Sequence, residues 1–140
     1  MLANGAKLGY KEHGGSGSTY TDLPGLKEIP DMGEEPEKVE NTCLTDKHNQ
    51  YEKGIGDAPD LEYTFKYDNK QADSPYRVLR NYADSNTMLD FEETLADGTK
   101  TTFSGTPSLR RTGGGVNGVL DFVLTIMLSG DLTVTDPAGN

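Results

Sequence analysis

Gly113, Gly115 and Gly118 stand in the spacing G-x-G-x-x-G, which lets a backbone loop approach a pyrophosphate. That chemistry needs a buried strand before the loop and a helix after it, so that the helix N-terminus faces the anion. Here Leu109-Arg110-Arg111-Thr112 precedes the glycines and the strand-like run Val119–Ser129 follows them. The context is inverted, so the glycines read as a plain loop. Asp68-Asn69-Lys70-Gln71-Ala72-Asp73 gathers oxygen ligands but lacks EF-hand spacing and sets Lys70 among them. A polar turn is expected there rather than calcium. His13 and His48 are far apart in the chain and lack a zinc-binding frame. Cys43, the single cysteine, has only His48 nearby as a partner and reads as a small buried hydrophobe. Glu92 and Glu93 are acidic neighbours, but adjacent strand residues point to opposite faces and cannot flank one substrate. No serine sits in a nucleophile elbow. The expectation is no catalytic, cofactor-binding or metal-binding residue, and no enzyme.

The surrounding elements are strands. In Leu61–Asp68, Leu61, Tyr63, Phe65 and Tyr67 fall on one face; Glu62, Thr64, Lys66 and Asp68 fall on the other. Thr87–Leu95 repeats the pattern, with Leu89, Phe91 and Leu95 opposed to Asp90, Glu92 and Thr94. Asp97-Gly98 then signals a hairpin, and Thr99–Ser104 returns. Val119–Ser129, apolar on both faces in its second half, reads as a central strand covered on two sides. Ala6–Tyr10 and Lys38–Cys43 are weaker strands. One helix is expected over about residues 75–84, with Ser74 as its cap, Pro75 at its first position, and Tyr76, Leu79, Tyr82 and Ala83 on one face. Arg77 and Arg80 are expected toward its C-terminal, negative end. These elements make a mainly β fold: a two-sheet sandwich or partial barrel with one flanking α-helix.

Composition sets limits on function. The 140 residues carry 13 Lys and Arg against 23 Asp and Glu, a net charge of −10. That excludes a protein that grips nucleic-acid phosphate or an anionic membrane with clustered cations. Leu, Ile, Val and Phe together number 27, a low share for a self-sufficient core. A partner, or copies of the chain itself, would supply the missing burial. No apolar run resembles a signal peptide or membrane span, so a soluble protein made in a reducing cytoplasm is expected. The segment over about residues 31–60 fits poorly into an isolated domain. Its apolar residues are few and spread out, its glutamates Glu34, Glu35, Glu37 and Glu40 read as a solvated run, and a short helix between Thr45 and Gly54 is one reading of it. Long irregular stretches of this kind are uncommon unless ordered by an outside contact.

The order of these features resembles a known family. Leu23-Pro24-Gly25-Leu26-Lys27-Glu28-Ile29-Pro30, Glu37–Thr42 and the run Tyr51–Tyr67 are similar to segments of the major tail tube proteins of long-tailed, siphovirus-type bacteriophages. So are Ala96–Gly105, Gly115-Val116-Asn117 and Phe122–Gly130. The similarity spans nearly the whole chain and is carried by strand patterns and turns, not by chemistry.

The resemblance implies a single tail tube domain over residues 1–140 that assembles into six-membered rings. One four-stranded sheet per copy joins a continuous barrel, and the rings stack into the conduit for DNA delivery. It implies a tape-measure protein in the bore, tail terminator and distal tail proteins at the ends, and DNA passing without specific binding. It places the protein in the virion tail, assembled in the host bacterial cytoplasm. It maps a long extended loop onto about residues 31–60, with Leu44, His48, Tyr51 and Ile55 as candidates for inter-subunit or inter-ring contact. Some relatives append an immunoglobulin-like domain, which is not expected here. An acidic bore would repel phosphate, and Glu62, Asp68, Asp90 and Glu92 are the candidates to line it. Two other readings remain: the tube subunit of a contractile injection system or phage-derived bacteriocin, and a monomeric β-sandwich binding module. Against the last, the chain has no Trp to build an exposed aromatic cluster.

Overall fold

The computed structural model describes residues 1–15, 17, 19–33, 38–40, 44, 48, 51–53 and 60–138. The strands are β1 (Lys7–Glu12), β2 (Thr21–Leu23), β3 (Leu26–Glu28), β4 (Lys38–Glu40), β5 (Tyr51–Lys53) and β6 (Leu61–Lys66). Helix α1 (Pro75–Asp84) follows, then β7 (Leu89–Thr94), β8 (Lys100–Arg111), β9 (Asp121–Leu128) and β10 (Thr133–Thr135). Eight strands form one antiparallel sheet in the order β2-β1-β7-β8-β9-β6-β3, with β10 on the side of β8 away from β7. The mainly β architecture and the helix over 75–84 agree with the sequence reading.

The two expected sheets are the two halves of this one sheet, and β8 is their shared strand. Its first part, Lys100–Gly105, pairs with β7; its second, Gly105–Arg111, pairs with β9. Gly105 lies at the changeover. A Cβ there would sit 2.5 Å from Ile126 Cγ2 and 2.6 Å from the Met127 carbonyl oxygen, so only glycine fits. The depth of the fold is set by Tyr63 of β6, whose hydroxyl donates to Glu93 Oε2 of β7 at 2.6 Å. In a flat sheet those strands would lie about 14 Å apart, three strand spacings. The halves therefore close over one core: Leu8, Leu89, Phe91 and Phe103 from one, Tyr63, Phe65, Phe122 and Leu124 from the other. Phe103 stacks on both Tyr63 and Phe91, at 6.4 and 5.7 Å between ring centres.

The β7–β8 hairpin forms at the expected Asp97-Gly98. The Gly98 N–H donates to the Leu95 carbonyl at 3.0 Å, and Gly98 takes φ +96°, which a side chain would resist. Alternation along β6 and β7 is as read, and it extends to Glu93, which is buried beside Phe91 while Glu92 faces outward. β9 is central, between β8 and β6, but only one face is fully covered. Phe122, Leu124 and Ile126 are buried inward and Val123 is buried on the outer face, whereas Met127 on that outer face is 61% exposed. The expectation of cover on both sides thus fails toward the end of the strand, where nothing in the described chain lies over it.

Helix α1 lies against β8 and sends Leu79 into the core. Tyr76 packs edge-on against Phe122 at 5.4 Å and Tyr67 at 4.8 Å. Pro75 starts the helix and Ser74 occupies the cap position, but the Ser74 hydroxyl accepts from the Gln71 N–H instead of capping the helix. The arginines do not serve the C-terminal end. Arg77 donates to the Asn69 side chain and carbonyl at 2.8 and 2.9 Å, tying down the preceding loop, and Arg80 lies over the Tyr76 ring. In the segment 31–60, β4 and β5 pair antiparallel, Lys38 opposite Lys53. An extended strand at Tyr51–Lys53 rules out the helix running to Gly54.

Burial raises the pKa of Glu93, and the hydrogen bond from Tyr63 only partly offsets this; burial also raises the pKa of Tyr63 itself. A raised carboxyl pKa means the native state keeps a proton that the unfolded chain releases above about pH 4.3. Stability from this group therefore falls as pH climbs from that value through the native pKa, and is flat beyond it. Glu93→Gln keeps an acceptor for Tyr63 and removes the titration. The expected result is a variant whose Tm rises relative to wild type between pH 4 and 7; melts across that range that run parallel would contradict it.

Candidate assembly surfaces

The described residues contain no group of three or more His, Cys, Asp or Glu side chains placed to hold a metal. A polar cluster surrounds Asp90. His13 Nδ1 lies 2.6 Å from Asp90 Oδ1, and the Ser104 hydroxyl donates to the same oxygen at 2.5 Å. Burial pushes the Asp90 pKa up, but the hydrogen bonds from Ser104 and His13, with the charges of His13 and Lys11, outweigh it and hold the carboxyl low. A hollow of about 230 Å³ opens beside it, lined also by Tyr20, Asp131 and Thr133. The residue types suggest a catalytic triad, but the order is wrong. The carboxylate stands between serine and histidine, so the imidazole cannot take the serine proton. The cluster is a structural tie between β7, β8 and the end of β1, which the spacing of its members in sequence gave no means of finding.

Asp90 in turn predicts an opposite pH response. Its lowered pKa contributes stability that is present above the unfolded value of about 3.9 and lost as pH falls through the native one. Asp90→Asn is expected to lower Tm at pH 7 and to converge with wild type in acid; equal melting temperatures at pH 7 would overturn this.

The four acidic candidates do not share a face. Asp90 and Glu92 project outward from β7 in the β2-β1-β7-β8 half. Glu62 projects outward from β6 in the other half, and Asp68 lies past the end of β6, in the loop before α1. Cations pair with most of the acids on the first half: Lys100 with Glu92 at 3.9 Å, Lys7 with Asp22 at 4.0 Å, and His13 with Asp90. Of the loop candidates, Leu44 and His48 are exposed and Tyr51 lies on β5; Ile55 and Cys43 lie outside the described residues.

The second half has the geometry of a joining unit. It is four strands wide, β8-β9-β6-β3, and strictly antiparallel. The Ser104 carbonyl accepts from Ser129 N–H, and Thr112 N–H donates to the Asp121 carbonyl, both at 2.8 Å. Even-numbered residues of β8 therefore turn their backbone to β9, and Pro107, Leu109 and Arg111 turn theirs away. Beyond Gly105 no strand serves that side among the described residues. Pro107 costs no ladder bond there, because its missing N–H would have pointed outward. At the opposite margin β3 is three residues long and carries a register shift at Lys27, where the Lys27 ammonium bonds Asp121 at 3.0 Å. Both margins are of the kind that soluble monomers normally hide.

The chain matches the family model described as phage tail tube protein over residues 15–137. No curated protein sequence matches it. Among solved structures, it is similar to a chain in the anti-feeding prophage (AFP) baseplate, 6-fold symmetrised, with a TM-score of 0.66, 14% identity, and coverage of 94% of this chain and 92% of that one. It is similar to the same degree, TM-score 0.66, to a chain in the tail of an empty GTA particle with C6 symmetry, at 20% identity with 93% of each covered. These likenesses are likenesses of fold. Among the described residues no helix is long and apolar enough to cross a membrane. With nearly the full length of the chain accounted for by one family model, the chain belongs to the phage tail tube protein family.

Proposed function

We propose that six copies of this chain join margin to margin into a closed ring and that rings stack into the tail tube. The carrying observation is the four-strand half with two margins, running in opposite directions, on which no strand pairs among the described residues. Six such units give 24 alternating strands with no parallel seam and no exposed edge. A barrel of that strand number is about 50 Å across at the backbone, wide enough for a DNA duplex or a tape-measure protein inside. The six-fold symmetry of both similar assemblies supports the ring number.

In this arrangement the outer face of the β8-β9-β6-β3 half turns to the axis. Glu62 is then the candidate that lines the bore; Asp90 and Glu92 lie on the outside wall and Asp68 at the rim. The hairpin β4–β5 reaches a neighbouring copy or ring, carrying Leu44, His48 and Tyr51. Terminator and distal tail proteins close the ends, and DNA passes without sequence recognition. Likeness to a chain of the AFP baseplate supports a second reading, in which the tube belongs to a contractile injection machine; the subunit's own assembly would be the same.

Electron microscopy of the concentrated protein tests the reading. Tubes or six-fold rings are expected, and a strictly monodisperse monomer that an initiator complex cannot convert would overturn it. Deleting residues 45–54 is expected to leave a folded subunit, with circular dichroism unchanged in character, that forms no tubes. Normal tubes from that deletion would remove the hairpin from assembly.

A further inference from the structure

Two asparagines in the chain precede a glycine, Asn4 and Asn117, and both are exposed. Such a step carries its own nucleophile. The glycine nitrogen, once it loses its proton, lies within reach of the asparagine side-chain carbonyl carbon, and glycine has no side chain to obstruct the approach. The fold treats the two steps differently. Ala3–Ala6 is a four-residue turn closed by the Ala6 N–H, which donates to the Ala3 carbonyl at 3.1 Å. Asn4 and Gly5 are its central residues, and Gly5 takes φ +91°. The amide between the central residues of a turn has no part in the closing bond. The Gly5 N–H accordingly donates to no group among the described residues. Gly115–Gly118 is also a turn, closed by the Gly118 N–H on the Gly115 carbonyl at 2.9 Å. There the asparagine stands one place later, so the nitrogen that would attack is the closing donor itself. A proton held in a hydrogen bond is harder to lose. This turn is also the tighter one. A Cβ on Gly118 would lie 2.9 Å from the Gly115 nitrogen and 3.0 Å from its oxygen, whereas a Cβ on Gly5 meets nothing nearer than the Ala96 Cβ at 3.4 Å.

We propose that Asn4 is a site of spontaneous covalent modification in the folded subunit, and that the turn at Gly115–Gly118 protects Asn117. The Gly5 nitrogen forms a bond to Asn4 Cγ and the bond from Cγ to Nδ2 breaks. Nδ2 leaves as ammonia, carrying the proton that the backbone amide gives up, and a cyclic imide remains. Water then opens the imide at either carbonyl, giving aspartate or isoaspartate; no oxidant or reductant takes part. Both products add a negative charge, and isoaspartate also lengthens the main chain by one carbon. The change falls just before β1 begins at Lys7. It also falls beside the β3 margin, because Ala3–Ala6 and Leu26–Ile29 together line a hollow of about 180 Å³. The inference concerns the single subunit and stands apart from the ring reading.

The test holds the full chain at mildly alkaline pH, in buffer and in parallel in denaturant, and samples it over time. Trypsin separates the two sites, cutting after Lys7 and after Arg111. Mass spectrometry of the two peptides, with enzymatic methylation of isoaspartate, locates and counts the product. In the native protein, conversion at Asn4 is expected to exceed that at Asn117 by about fivefold or more, since only one of the two nitrogens is free to attack. In denaturant the two rates are expected to approach each other, because both sites are then the same Asn-Gly step without a turn. Equal conversion in the native state, or faster conversion at Asn117, would overturn the proposal. So would a native difference that persists undiminished in denaturant, because the flanking sequence and not the fold would then be its cause.

Discussion

Gly105→Ala is expected to be the most damaging small substitution in the chain. The added methyl would sit 2.5 Å from Ile126 Cγ2 and 2.6 Å from the Met127 carbonyl oxygen. One neighbour is a β-branched core side chain and the other is backbone, so neither yields by a simple rotamer change. Overpacking of this kind costs about 3 kcal/mol, against which the lower entropy of the unfolded alanine chain returns less than about 1 kcal/mol. For a chain of this size the Tm should fall by roughly 10 °C. Because β8 changes partners at this residue, the damage should also reach both halves together. Calorimetry would register a single, lowered transition. A Tm within a degree or two of wild type would mean that the strand relaxes around the methyl and that glycine is not required at the changeover.

Phe122→Ala is the second. Phe122 is fully buried, stacks on Phe65 at 5.3 Å, and receives the edge of Tyr76 from α1 at 5.4 Å. Truncation removes the aromatic contacts of β9 with β6 and with the helix at once and leaves a cavity, a loss of about 3–5 kcal/mol. The helix should feel it first, since Leu79 is its only fully buried side chain. Hydrogen exchange is expected to show α1 opening at a lower free energy than the sheet in the variant. Uniform loss of protection across helix and sheet would show instead that α1 is held by contacts other than this ring.

Much of this architecture was legible in the chain. The aromatic alternation of Leu61, Tyr63 and Phe65 survives into the structure because each strand has one wet face and one packed face. Asp97-Gly98 and Ser74-Pro75 mark a hairpin and a helix start because glycine and proline constrain the backbone directly. The length of β8 was not legible. Gly105, Pro107 and the exposed Arg110 and Arg111 break the alternation where the strand leaves one half for the other, so the pattern ends near Ser104 although the strand runs to Arg111. β2, β3 and β10 are three residues each, too short to carry a period. Glu93 was hidden by its type: alternation placed it inward with Leu89 and Phe91, but a buried glutamate is expected only when something pairs with it, and Tyr63 is distant in sequence. The same limit scattered the acidic candidates. Alternation separates inward from outward, but it does not say which half of a folded sheet a strand joins, so Asp90 and Glu62 read alike and lie in different halves.

The net charge has its own geography. Nine of the 23 acids, against three lysines, fall within residues 31–60. The sheet faces themselves are closely balanced, so the excess negative charge belongs to that stretch of the sequence.

The shared strand has a mechanical corollary. β8 is one covalent thread that runs from the β2-β1-β7-β8 half of the sheet into the β8-β9-β6-β3 half. In the proposed ring, a load pressing outward from the bore would reach the outside along peptide bonds and not across a slip plane between two independent layers. A cylinder built from such pieces should stretch little around its girth and accommodate curvature between successive discs, where only side chains and hairpins meet.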